Sequence, residues 1–192
     1  AGSSATTLYA PTDLDTGEAI ILNSSHSVSF TGFNIPNGNI SIEAEDDDTV
    51  EPNATIDDVN LAANDANITA NASDLTITNV NFADAGVGAI ELTDTLNNTN
   101  SDLTVKDVVV GSFRSAGPSQ QTIALNASQG VGADVTIERF NVSTGSNSLN
   151  RNDYMINITQ AGPTGTVSIK NSQLGDVGAG TAINIKQIRT QG

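Results

Sequence analysis

The chain has 192 residues, no cysteine and a formal net charge of −15 at pH 7. The absence of cysteine excludes disulfides, thiol catalysis and cysteine-based zinc sites, and so acidic a surface would repel a polyanion such as nucleic acid. No run approaches the ~20 apolar residues of a membrane helix, so we expect neither a nucleic-acid partner nor a membrane-spanning segment.

Residues 1–16 precede the first repeat and contain a short apolar patch, Leu8-Tyr9-Ala10, which ends at Pro11. We interpret this segment as an N-terminal extension that either caps the body or pairs as a strand with a neighbouring molecule. The chain starts with small polar residues, AGSSATT, as does a mature end left by signal cleavage. We therefore expect a secreted protein that is extracellular or bound to the cell surface.

From about Gly17 to Gln187 the chain repeats a unit of two short segments in which apolar residues alternate with polar ones. This period of two predicts β-strands. The first segments of the unit are Val28–Ile35, Ala54–Leu61, Leu75–Phe82, Leu103–Val110, Val135–Val142 and Val167–Leu174. The second segments are Ala19–Leu22, Ile40–Ala44, Asn67–Ala70, Ile90–Leu92, Thr122–Leu125, Met155–Ile158 and Ala182–Ile185. The first segments begin 26, 21, 28, 32 and 32 residues apart, which is typical of solenoids, propellers or arrays.

Aligning the repeats predicts three apolar columns. The first column is Phe30, Ile56, Ile77, Val105, Ile137 and Ile169. The second is Ile35, Leu61, Phe82, Val110, Val142 and Leu174. The third is Ile42, Ile68, Ile90, Ile123, Ile156 and Ile183. Every member is apolar, as expected when parallel strands stack about 4.8 Å apart and point these side chains into one core.

The outward positions of the first segments are polar. One outward column is Ser29, Thr55, Thr76, Thr104, Thr136 and Ser168. Its companion is Thr31, Asp57, Thr78, Lys106, Glu138 and Lys170, whose charges interrupt the flat hydroxyl array that ice binding needs. The position that breaks the alternation is Gly32, Asp58, Asn79, Asp107, Arg139 or Asn171, and mostly carries residue types that favour a bend.

The phrases LTITNVNF…AIEL, VTIERFNV…MINI and VSIKNSQL…AINI resemble rungs of the right-handed parallel β-helix proteins, the pectin-lyase-like superfamily. The resemblance covers nearly all of residues 17–192. It implies an all-β, single-stranded right-handed parallel β-helix of about six rungs, and the right hand is also the usual chirality of parallel crossovers. Lyases, hydrolases, adhesins and structural proteins all use this fold, so the fold does not determine the activity.

A lyase of this family would hold calcium with acidic side chains on neighbouring rungs and use an Arg or Lys as the base. Asp57, Asp58, Lys106, Asp107 and Arg139 would share one face, but they match no family motif residue by residue. Tryptophan is absent, and the lone His26 has no evident partner for a triad. We therefore predict no catalytic residue.

Acidic clusters suggest calcium as a cofactor, because oxygen ligands packed in a flexible loop suit that ion. The denser cluster contains Glu43, Glu45, Asp46, Asp47 and Asp48. A second cluster contains Asp13 and Asp15. A solvated acidic turn is the alternative interpretation of both.

Nine sites match the glycosylation pattern Asn-x-Ser/Thr. They are Asn23, Asn39, Asn53, Asn67, Asn71, Asn97, Asn126, Asn141 and Asn157. In a host that glycosylates proteins, these sites would mark an exposed surface and a glycoprotein. In an Asn-rich chain several such matches also arise by chance.

A parallel solenoid exposes unpaired backbone groups and apolar core at both ends unless a cap covers them. The last strand is apolar and no amphipathic capping helix follows it. We expect self-assembly with copies of the same chain into a filament, tube or sheath, through Leu8, Tyr9, Ile183, Ile185 and Ile188. The alternative is a carbohydrate-active, polysaccharide-lyase-like protein or a glycan-binding adhesin.

Overall fold

A computed structural model of the chain describes residues 6–9, 18–23, 27–37, 39–43, 53–62, 67–71, 74–85, 88–93, 102–113, 121–129, 132–144, 149–161, 164–176 and 178–188. These residues form fifteen β-strands and no helix. In chain order the strands are β1 Thr6–Tyr9, β2 Glu18–Asn23, β3 Val28–Asn37, β4 Asn39–Glu43, β5 Ala54–Leu61, β6 Ile68–Asn71, β7 Leu75–Phe82, β8 Gly88–Thr93, β9 Leu103–Phe113, β10 Ile123–Gln129, β11 Val135–Thr144, β12 Tyr154–Ala161, β13 Val167–Lys170, β14 Gln173–Leu174 and β15 Thr181–Ile188.

The strands alternate between two parallel sheets, which confirms the predicted parallel β-helix. Sheet A has the order β1-β3-β5-β7-β9-β11-β13, with β14 also paired to β11. Sheet B runs β2-β4-β6-β8-β10-β12-β15. Along these orders each sheet stacks seven strands. Sheet B has the seven predicted second segments, whereas sheet A has one strand more than the six predicted first segments, because β1 pairs with β3 from within residues 1–16. In the described part of the chain, no helix is long and apolar enough to span a membrane.

The first two predicted columns are confirmed by the strand register. Ile56 pairs with Ile77, Ile77 with Val105, and Val105 with Ile137 and then Ile169. The column from Ile35 to Leu174 is likewise in register along sheet A. Its interior members are almost fully buried, so both columns form the continuous core of the coil.

The third predicted column was wrong at two of its six positions. Ile40 pairs with Ile68, whereas Ile42 pairs with Ala70. Leu125 pairs with both Ile90 and Ile156, and Ile123 pairs with Gly88. A shift of two residues leaves a side chain on the same face of the strand, so apolar alternation does not distinguish these registers.

The bend predicted in sheet A is present on every rung from β3 to β13. Asp58, Asn79, Asp107, Arg139 and Asn171 have φ angles between 51° and 54°, and Gly32 has φ 75°. This left-handed backbone is easy for Gly, Asn and Asp. It shifts the alternation by one residue, so apolar side chains on both sides of the bend point into the same core.

Candidate functional site

The final rung exposes the ends of the inward columns; we call this surface, formed by β13, β14 and β15, the end face. Ile183 and Ile185 are 43% and 48% exposed, whereas their register partners Ile156 and Ile158 are fully buried. On sheet A, Ile169 is only partly buried, unlike Ile137 beneath it. Among the described residues, no strand pairs with the outer edge of β13 or β15.

The opposite end, which we call the start face, comprises β1, β2 and the first half of β3. Strand β1 pairs only with the Phe33–Asn37 part of β3. Val28 and Phe30, in the first half of β3, are partly buried and pack against the core. The rings of Phe30 and Phe33 meet edge to face, with centroids 6.1 Å apart. In the described part of the chain, the outer edge of residues 28–31 has no paired strand.

The structure distributes the residues predicted for self-assembly over these two faces. Leu8 and Tyr9 lie in β1, on the start face. Ile183 and Ile185 lie in β15, and Ile188 ends that strand with its backbone paired to Ala161. The predicted residues therefore occupy both ends of one axis.

The charged residues of sheet A form a cluster across three rungs. Lys106, Glu138 and Lys170 are in direct register. Arg139 donates from Nε to Asp107 Oδ1 at 2.5 Å and from Nη2 to Asp107 Oδ2 at 2.7 Å. It also pairs with the Glu138 carboxylate.

These contacts decide the chemistry available to Arg139. Its hydrogen bond to Asp107 raises the pKa of Arg139, and the Arg139 hydrogen bond lowers the pKa of Asp107. A lyase base must release a proton to accept one from the substrate. Asp107 instead stabilises the protonated form of Arg139, which cannot accept a proton. That no residue of the chain is catalytic stays a prediction.

Two ladders of side-chain amides follow the outer walls and were not predicted from the sequence. On sheet A, Asn60 Nδ2 donates to Asn34 Oδ1 and Asn81 Nδ2 donates to Asn60 Oδ1, both at 2.7 Å. On sheet B, Asn184 donates to Asn157 at 2.7 Å and Asn157 to Asn126 at 2.9 Å. The signal that could have revealed them is Asn at one aligned position of successive repeats.

A third ladder joins the turns that lead into sheet A. The Asp74 carboxylate accepts the backbone N–H of Asp102 at 2.8 Å, and the Asp102 carboxylate accepts that of Asp134 at 2.7 Å. Asp134 then accepts both the backbone N–H and the hydroxyl of Thr166. The Thr166 hydroxyl and N–H lower the pKa of Asp134. Each carboxylate thus joins two rungs instead of pointing at a ligand.

Asp153 is buried and completes a similar connection in sheet B. Its Oδ2 accepts the Asn150 N–H at 2.6 Å and its Oδ1 accepts the Thr122 N–H at 3.1 Å. At the other end of β12, Gln160 Nε2 donates to the Ala133 carbonyl at 2.8 Å. These bonds satisfy polar groups inside the coil, so we assign them a structural role.

All but one of the predicted calcium ligands lie outside the residues that the structure describes. Glu45, Asp46, Asp47, Asp48, Asp13 and Asp15 are outside the described residues, and Glu43 is the last residue of β4. Within the described ranges, no three His, Asp or Glu side chains are grouped so as to hold a metal ion.

The glycosylation sites are only partly described. Asn53 is exposed, whereas Asn126, Asn141 and Asn157 are half-buried. Asn126 and Asn157 use their amides in the sheet B ladder, and Asn141 Oδ1 accepts the Gln173 N–H. Asn67 is half-buried, Asn23, Asn39 and Asn71 lie in strands, and Asn97 is outside the described residues. Of the described side chains, Asn53 is the most accessible acceptor.

No protein-family model matches this chain, no curated protein matches it, and no solved structure matches it.

Proposed function

We propose that the protein is an extracellular structural protein that assembles with copies of itself into a surface filament, tube or sheath. The supporting observation is the half-exposed pair Ile183 and Ile185, which continue columns that are fully buried one rung earlier. Open strand edges offer unpaired N–H and C=O groups to another chain. Covering apolar surface stabilises a contact between two copies by about 25 cal/mol for each Å² removed from water. Contact between two unlike faces propagates into a filament when it does not close.

We also propose kinship with the pectin-lyase-like superfamily and a role that is not enzymatic. The rung phrases that resemble that superfamily are the ones that stack in parallel here. The side walls support a structural role, because their Asn and Asp side chains are bonded to the next rung. Secretion, calcium and glycans remain parts of the same proposal.

A carbohydrate-active role has one supporting observation, the cluster of Lys106, Asp107, Glu138, Arg139 and Lys170 on three adjacent rungs. It is the weaker candidate because Asp107 holds the Arg139 guanidinium in its protonated form. Incubating the protein with acidic polysaccharides and recording the absorbance of unsaturated products tests it. We expect no product.

Electron microscopy of the purified protein tests the assembly proposal. We expect filaments or sheets from the wild-type protein, and monomers from the double variant Ile183→Thr/Ile185→Thr, because threonine keeps the β-branched shape but removes apolar area. Val109→Thr is the matched control, since Val109 is also 43% exposed but lies on a side wall of sheet A. Wild-type protein that stays monomeric at high concentration, with and without calcium, would refute the proposal.

A further inference from the structure

The start face and the end face present the same columns. In sheet B, successive pairings connect Ile20 at the start to Ile183 at the end, and Leu22 to Ile185. In sheet A, Phe30 and Ile169 end one column, and Ser29 and Ser168 end its outward neighbour. A second copy stacked on the end face would therefore continue these four columns with residues of the same character.

The free edges also have matching lengths. Residues 28–32 of β3 have no pairing with β1, and four of them, residues 28–31, precede the bend at Gly32. On the end face, β13 is Val167–Lys170, also four residues, and it pairs with β11 on one side only. Aligned by column, Val167 would pair with Val28 and Ile169 with Phe30. Each pairing of this kind satisfies backbone groups that a strand edge leaves open.

Charge is distributed unequally along the axis. Residues 1–100 contain 16 of the 22 acidic residues and none of the 7 Lys and Arg, so they carry −16, whereas residues 101–192 carry +1. Because the rungs follow chain order, this difference in sequence is also a difference between the two ends. On the final rung Lys170 and Lys186 are exposed, and so is Asp176, so the described residues there carry a net charge of +1.

Salt screens the charges that lie far from an end, so the charges on each face itself determine how two ends interact. At physiological salt exposed charges interact over roughly 8 Å, or about two rungs of about 4.8 Å. An end face with a net positive charge therefore attracts the acidic start of a second copy more than it attracts another end face. Opposed charges at a contact select orientation and partner.

We propose that the end face binds the start face of a second copy, head to tail and in the register of adjacent rungs, with β13 beside residues 28–31 of β3 and β15 beside β2. This inference rests on the proposed assembly and adds its polarity and register. The partner is another copy of this chain. The contact continues sheet B through β15 and β2, and sheet A through β13 and residues 28–31. At Asn34 and Ile35 the edge of β3 is already paired with β1, so β14, which aligns with those positions, moves aside in the contact.

Cysteine cross-linking tests the register, because the chain has no cysteine of its own. In the double variant Ser29→Cys/Ser168→Cys the two thiols would meet across the contact within the Cα separation of a disulfide, roughly 4.4–6.8 Å. Within one molecule they are five rungs apart, about 24 Å at the usual strand spacing. Mild oxidation should therefore give a ladder of covalent oligomers on a non-reducing gel.

The control pair is Thr31→Cys/Ser168→Cys, which lies on the same outer face but requires a slip of two residues. We expect at least a tenfold lower yield of oligomers from it, and no disulfide-linked dimer from either single-cysteine variant. Equal ladders from both pairs, or dimers through Ser168→Cys alone, would overturn the register or the polarity. Electron microscopy of the same samples separates the two failures, since filaments without the specific ladder refute only this inference and absence of filaments refutes the proposed function as well.

Discussion

Val109 interrupts the amide ladder on the outer wall of sheet A. It is in register with Asn81 on one side and Asn141 on the other, and its side chain is 43% exposed. We expect Val109→Asn to raise the free energy of unfolding by about 1 kcal/mol, the usual net value of one hydrogen bond, because the new amide can donate to Asn81 as Asn81 donates to Asn60. Denaturant unfolding measures the change.

Val109→Asp is the matched control for that variant. It has nearly the same shape and polarity, but an ionised carboxylate only accepts hydrogen bonds and cannot donate to the Asn81 carbonyl oxygen. The ladder interpretation requires Val109→Asn to be the more stable of the two. Equal stabilities would mean that only loss of the exposed apolar side chain matters.

The bend column shows what single residues can predict and what they cannot. Asn and Asp at the aligned position indicated a bend from the sequence alone, and the structure gives that position a positive φ on all six rungs from β3 to β13. Arg139 has no such preference, yet it adopts φ 53°. The rungs on either side impose the conformation, and its long side chain then reaches Asp107 on the neighbouring rung. Such a contact depends on the stacking, so the sequence did not reveal it.

At the scale of the strand, alternation predicted the faces reliably but not every register. Columns in sheet A were correct because the bend marks one fixed position in each first segment. Sheet B segments are shorter and have no such marker, so Ile42 and Ile123 were each placed two residues from their true partners. The exposed end was predictable because the last segment is as apolar as the interior ones.

Carboxylates that accept hydrogen bonds from the next rung make the stacking sensitive to acid. The hydroxyl and N–H of Thr166 lower the pKa of Asp134, and hydrogen bonds from Thr78 and Asn79 lower that of Asp57. A carboxyl whose pKa is lower in the folded than in the unfolded chain contributes stability above the unfolded value, near pH 4. That contribution is lost as the pH falls towards the folded value. We expect the midpoint of thermal unfolding to drop between about pH 5 and pH 2.

Asp134→Asn isolates the part that Asp134 contributes to this acid response. The asparagine oxygen can still accept the Thr166 N–H, which the carboxylate accepts at 2.8 Å, but the side chain no longer titrates. Thermal unfolding followed by circular dichroism should show a smaller loss between neutral and acidic pH than in the wild type. A loss of the same size in both proteins would show that Asp134 is not part of the acid response.

At the scale of the whole molecule, the order of the residues along the chain sets the direction of the axis. It also sets the gradient of charge along that axis. A solenoid stacks its rungs in sequence order, so a difference in composition or charge between the two halves of the sequence becomes a difference between the two ends of the molecule. The net charge of −15 alone suggests only mutual repulsion. Its distribution indicates instead that unlike ends attract while side walls repel, which favours slender filaments over lateral aggregates.

Lys170 and Lys106 allow this electrostatic argument to be tested with two variants of equal net charge. Both are in register with Glu138, one on each side of it, but only Lys170 lies on the end face. Head to tail, Lys170 would lie beside Thr31 of the next copy, one rung from Asp57. We expect Lys170→Gln to raise the critical concentration for assembly by up to about fivefold, the scale of an exposed charge contact of at most about 1 kcal/mol. Lys106→Gln should change it much less, and sedimentation of polymer at increasing protein concentration measures both. Equal shifts would attribute the effect to net charge and remove the electrostatic reason for unlike ends to meet.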